Sequence, residues 1–259
     1  MINLKIIDAI RNSKPLIFGK IGGVEAQHLR HYLTHGEASL LNTCSLPLQA
    51  GIYPSSKEDL KDWCEQYLQS VKNVDYLLQW CAGQGDEYIL ETIRWNGIQK
   101  FTSFSDLEPF SHGEGGWHYH LKDKKLLTVA PFPKTIKQQV PKYSQIWKGA
   151  EIGEVQVVQS PYSAALLGRE PRPYKDILQE ICEQIKGADF DVATVGCGGY
   201  SLMICDLGGG NQLLFGIRGT RWDGWNNDAT VDWYNSEGWT TTLSEEIPPN
   251  TQMMGHEYW

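Results

Sequence analysis

The residues with the richest chemistry lie between Phe190 and Trp222, in FDVATVGCGGYSLMICDLGGGNQLLFGIRGTRW. An apolar run stops at Gly196-Cys197-Gly198-Gly199 and resumes at Tyr200 as YSLMI. That is the pattern of a buried parallel strand turning through glycines into a helix. Backbone amides at such a turn face outward at a helix N-terminus, whose partial positive charge favours phosphate or carboxylate. A second glycine cluster, Gly208-Gly209-Gly210, precedes Gln212, and Arg218 and Arg221 then add two permanent positive charges. Two readings stay open here: a site for an anionic small molecule such as a nucleotide, or a tight turn followed by surface arginines.

A similar turn closes the first apolar strand, where Phe18-Gly19-Lys20-Ile21-Gly22-Gly23-Val24-Glu25 runs into a helix. Glu25 falls on the first helical turn, where the dipole favours its ionised form. An ionised carboxylate there can coordinate a metal, hold a ribose, or accept a proton from an attacking hydroxyl. The plainer alternative is one of the acidic residues common in first helical turns. If both glycine turns lie on the same edge of a sheet, they flank one cleft.

His112, Glu114, His118 and His120 in SHGEGGWHYH form the most metal-like pattern. Imidazoles with an acid suit zinc, and a metal-dependent hydrolase is the reaction class they would serve. The spacing matches neither HExxH nor a zinc finger, so a chance cluster of loop histidines is the competing account. The chain has no GxSxG elbow and no GxxxxGK[ST] loop, which leaves serine hydrolases and P-loop nucleotidases without support. GCGGYS lacks the full GxGxxG spacing, a poor fit to a dinucleotide oxidoreductase.

These residues need elements to position them. Periodicity predicts helices over Ile2–Asn12, Val24–His35, Ser55–Val71, Asp86–Trp95, Thr135–Trp147 and Tyr174–Ile185. Ser55-Ser56-Lys57-Glu58-Asp59 is a good N-terminal capping sequence for the third of these. Strands are expected over Pro15–Gly19, Val74–Gln79, Lys100–Phe104, Lys125–Ala130, Val155–Val158 and Phe190–Val195. Strands alternating with helices imply one α/β domain over residues 1–259, Rossmann-like, with a mainly parallel sheet covered on both faces. Ligands in such sheets collect at the carboxyl ends of the strands. After Trp222 periodicity fades, and five of the ten tryptophans (Trp222, Trp225, Trp233, Trp239, Trp259) sit in a polar, irregular C-terminal wrap. They either stack on sugars or bases or pin that wrap to the core.

At 259 residues the chain can bury one large core or two modest ones that share a cleft. A formal charge of −8, with no lysine-arginine run, argues against nucleic acid as the main partner. No apolar run reaches the roughly 20 residues of a membrane span. MINLKIIDAIRNSK reads as an amphipathic helix and not as a signal peptide. The six scattered cysteines, without a CxxC pair, read as reduced and mostly buried thiols, hence a cytoplasmic protein. Cys197 stands in the glycine loop, where a catalytic role is the sharper of two readings.

HLKDKKLLTVAPFPKTIKQQ, QAGIYP, FDVATVGCGGYSL, GGGNQLLFGIRGTRW and the closing EYW resemble an uncharacterised family from surface-polysaccharide gene clusters and large viruses. That family is similar to the GT-D-fold glycosyltransferases, and the likeness keeps its order from Gly22 to Trp259. It implies transfer of a sugar from a nucleotide-diphosphate donor to a glycan acceptor. GT-D enzymes carry an Asp-x-Glu motif after the first strand, which helps to bind the donor diphosphate and its metal, Mn or Mg. Here the Glu falls on Glu25 and the Asp position on Gly23. The chain is also shortened around Met203–Gly208. The expected variant is therefore metal-independent, with Arg218, Arg221 and the amides of Gly198 and Gly199 stabilising the leaving diphosphate. Glu25 is the expected base, with Asp223 in reserve. Lys20, Gly22, Gly23, Gly51, Gly196 and Gln212 complete the binding set, and Tyr53, Tyr200 and Trp222 stack on the base or sugar. A non-catalytic nucleotide- or carbohydrate-binding protein on the same fold is the alternative.

Overall fold

A computed structural model describes residues 2–36, 46–53, 56–79, 101–103, 109–160, 172–205, 217–218 and 237–247. The helix expected over 86–95 and most of the tryptophan-rich wrap lie outside them. Helix α1 (Ile2–Asn12) leads to β1 (Phe18–Lys20) and α2 (Gly23–His35). After a π-helical turn, Leu46–Ala50, come α3 (Lys57–Asn73), β2 (Tyr76–Gln79) and β3 (Phe101–Ser103). Two 3-10 turns, Pro109–Gly115 and Trp117–His120, precede β4 (Leu126–Ala130), α4 (Pro133–Gln139) and α5 (Tyr143–Ile146). Then follow β5 (Val155–Gln159), α6 (Tyr174–Ile185), β6 (Val192–Val195), α7 (Ser201–Cys205), β7 (Ile217–Arg218) and β8 (Thr240–Thr241).

Local chemistry accounts for most boundaries. The Ser56 side chain accepts the Asp59 N–H at 3.0 Å and starts α3, with Glu58 and Asp59 on the positive end of its dipole. Leu60, Trp63, Cys64, Tyr67, Leu68 and Val71 then form one buried stripe at helical spacing. Gly36 ends α2 with φ +70°, a left-handed cap whose N–H bonds to the Tyr32 carbonyl. The single helix expected over Thr135–Trp147 is instead broken into α4, a 3-10 turn at Val140–Lys142, and α5. Pro141 has no N–H to give the preceding turn, and its ring crowds that turn's carbonyl.

Every pairing among the described strands is parallel, as the alternation of strand and helix implies. The strands form sheets in the orders β1-β2-β3 and β5-β4-β6, with a short β7-β8 pair beside them. All five residues of β4 are buried, and its Thr128 hydroxyl lies 3.1 Å from that of Thr194 on β6. Successive strand residues feed opposite cores, because side chains alternate across a strand. Leu77, Leu127 and Val129 pack with α2, α3, α6 and α7. Leu78, Leu126 and Ala130 pack with α1, α4 and α5. Apolar cores on both faces fit a Rossmann-like α/β arrangement. Among the described residues no helix is long and apolar enough to cross a membrane.

Candidate functional site

Both glycine turns sit at carboxyl ends of parallel strands, and the fold brings them together. At the end of β1, Gly19 packs so closely on α7 that an added Cβ would stand 2.3 Å from Leu202 Cδ2. On the other side, the segment from Leu46 to Tyr53 wedges against the β6 turn. A Cβ on Gly198 would meet the Ala50 carbonyl oxygen at 2.8 Å, and Gly198 has φ +59° besides. Gly199 lies on Ile52, and Tyr200 donates its hydroxyl to the Gly51 carbonyl at 2.8 Å. The glycines here are thus required first by close packing of the chain on itself.

Glu25 is the buried acid of this place, 7% exposed. Its carboxylate folds back over the helix start, where a Cβ on Gly22 would stand 2.2 Å from Oε2. Gly22 is the residue just before α2, so Glu25 occupies the third helical position of a capping arrangement. Burial pushes the Glu25 carboxyl above the usual range, against the opposing pull of its own backbone N–H and of Lys20. The dipole was expected to keep this carboxylate ionised, but desolvation outweighs it. Tyr67, from the buried stripe of α3, has its phenol pushed well up by burial first, with Glu25 and Cys197 adding to the effect. The Cys197 N–H donates to Ser201 Oγ at 3.0 Å, and the Ser201 hydroxyl lies 3.7 Å from Cys197 Sγ.

The other expected site residues divide clearly. Lys20, Gly22, Gly23, Tyr53 and Gly196 are half-buried, and Gly198 is exposed. The Gly196 N–H is already used, bonded to the Val129 carbonyl at 2.9 Å. Tyr200 was expected to stack on a ligand, but its ring is 1% exposed and its hydroxyl is taken by Gly51. It has a structural role, because the Gly51–Ile52 segment covers it. Arg218 lies on β7, whose residues pair with Thr240 and Thr241 of β8. Gln212, Arg221, Trp222 and Asp223 lie outside the described residues. Tyr67 was not singled out beforehand, because on α3 it is one more large residue of an apolar stripe.

The partner position of the Asp-x-Glu pair is Gly23, which has no side chain, and among the described residues no three His, Cys, Asp or Glu side chains converge. His112, Glu114, His118 and His120 form no such group either. His118 is fully buried, with its ring against Gly116 and 4.5 Å from that of Trp147. His120 stays near the surface, with Nδ1 3.5 Å from Arg11. The thiols are less uniformly buried than expected: Cys64 is buried, Cys197 half-buried and Cys182 exposed on the outer face of α6.

The arrangement offers half-exposed backbone at two strand ends, Lys20 beside one of them, and a buried acid whose carboxyl is held above the usual range by burial. Comparison with protein-family models, curated proteins and solved structures finds no match to this chain.

Proposed function

We propose that this protein is a metal-independent glycosyltransferase of GT-D-like fold, moving a sugar from a nucleotide-diphosphate donor to a surface-glycan acceptor. The observation that carries the reading is the closeness of the β1 and β6 carboxyl ends: Gly19 of β1 packs on Leu202 of α7, and the Leu46–Ala50 turn touches both α2 and the Gly198–Tyr200 turn. Such a crevice at strand carboxyl ends is where open α/β sheets bind ligands. Lys20, Arg218 and Arg221 supply the positive charge that a departing diphosphate needs. Glu25 serves as the proton acceptor for the attacking hydroxyl, and burial, by raising its carboxyl above the usual range, makes it a stronger base than an exposed carboxylate.

The second reading, a non-catalytic nucleotide or carbohydrate binder, is favoured by the depth of Glu25, which leaves an acceptor hydroxyl little direct access. One set of measurements separates the two. The transferase binds nucleoside diphosphate, seen as a raised melting temperature, and hydrolyses or transfers a sugar-nucleotide donor; Glu25→Gln keeps the first property and loses the second. A binder shows the first property alone, unchanged in Glu25→Gln. Absence of a thermal shift with any common sugar nucleotide rejects both.

A further inference from the structure

Residues 237–247 cross α4 and α5 as a strap, and their fastening is concentrated on the first turn of α4. Glu246 accepts the backbone N–H groups of Lys134 and Thr135, each at 2.7 Å, and the Thr135 hydroxyl at 2.5 Å. The same hydroxyl accepts the Leu243 N–H at 2.9 Å. Helix starts leave N–H groups without intrahelical partners, and Phe132, which precedes α4, has no side-chain oxygen to offer them. A carboxylate from the far end of the chain does so instead, through charge-assisted bonds. Further along, Gln139 donates its side-chain amide to the Gly238 carbonyl at 2.8 Å, and Trp239 meets Trp147 edge-on.

The middle of this strap is β8, and β8 is the strand on which β7 pairs. β7 also packs against α4. A pair of two-residue strands has little stability of its own, so its position depends on what holds the strap down. We infer that Glu246, acting through Thr135, is a positioning residue that fixes the Arg218-bearing strand against α4. This rests on the reading of Arg218 as a diphosphate-binding cation. The ion pair between Lys134 and Glu245 lies alongside but is exposed on both partners. Screened by solvent, it contributes little to the same task.

The test compares Thr135→Val, which keeps the side chain's shape and removes its hydroxyl, with Thr135→Ser, which restores the hydroxyl, and with Glu246→Gln. Glu245→Gln is the control. Amide exchange in the full chain reads the position of β7 and β8, and titration with a nucleoside diphosphate reads the site. Expected are exchange at least tenfold faster at Ile217, Arg218, Thr240 and Thr241 in Thr135→Val and Glu246→Gln, with β4 unchanged, and nucleoside diphosphate binding weakened about tenfold. Thr135→Ser and Glu245→Gln behave as wild type. Unchanged exchange at β7 in Glu246→Gln overturns the inference, and so does faster exchange with unchanged affinity. If the wild-type protein binds no nucleoside diphosphate, the functional reading fails, and the exchange result alone decides whether Glu246 holds the strap.

Discussion

Tyr200 and Gly51, 149 positions apart, are joined by a 2.8 Å hydrogen bond from the phenol to the backbone carbonyl, in a place closed to solvent. This bond ties the glycine turn after β6 to the segment before α3. It gives Tyr200 a structural task, while Tyr53 at the end of that segment stays half-buried.

Tyr200→Phe removes the donor and leaves the Gly51 carbonyl buried without it. The expected loss is about 1–3 kcal/mol of stability, the cost of an unsatisfied buried polar group. Urea unfolding of the two proteins measures it. A loss below about 0.3 kcal/mol would show that water or another donor replaces the phenol.

The Glu25 carboxyl titrates higher in the native state than in the unfolded chain, because burial disfavours its charge. Its linkage therefore favours the native state at low pH and is lost as pH rises through the native value. Glu25→Gln removes this dependence. Relative to wild type, the variant gains stability between pH 4 and pH 8, the direction set by a native carboxyl raised above its ordinary value of 4.5. Thermal melts at the two pH values check it, and a variant that instead loses ground at pH 8 would show an ionised, well-solvated Glu25.

Burial pushes the His118 imidazole down to about 3, with the charges of His112 and His120 adding to the effect. Neither ring nitrogen has a hydrogen-bond partner among the described residues. Below the ordinary histidine value the unfolded chain binds a proton that the native state refuses, so stability present at pH 7.5 falls as pH drops toward 3. Between pH 6.5 and 5 this single group accounts for about 2 kcal/mol. In His118→Leu the decline over that interval is shallower by about that amount. Equal slopes for the two proteins in urea unfolding would mean that His118 takes up its proton in the folded state.

Elements were legible wherever a local pattern was complete. Ile2–Asn12 and Tyr174–Ile185 are helices over those residues, since their apolar stripes have one strong period. The strand before the glycine turn is shorter than expected, Val192–Val195, because Phe190 points to solvent and Asp191 uses its carboxylate on the Lys125 N–H. Parallel pairing also followed from the sequence, because each strand is separated from the next by a helix-length connection. The kink at Pro141 was visible in the residue but was masked by apolar spacing on either side of it.

Local pattern alone placed most of the described strands and helices, implied their parallel pairing, and put glycine turns at the ends of two strands. These depend on neighbours a few residues apart. That the two turns lie close, that burial raises the Glu25 carboxyl, and that Tyr200 faces inward came from the packed fold. It alone placed Glu246 on the first turn of α4. Each of those outcomes depends on residues tens to more than a hundred positions away, and burial, which sets both charge state and access, is a property of the whole packed chain.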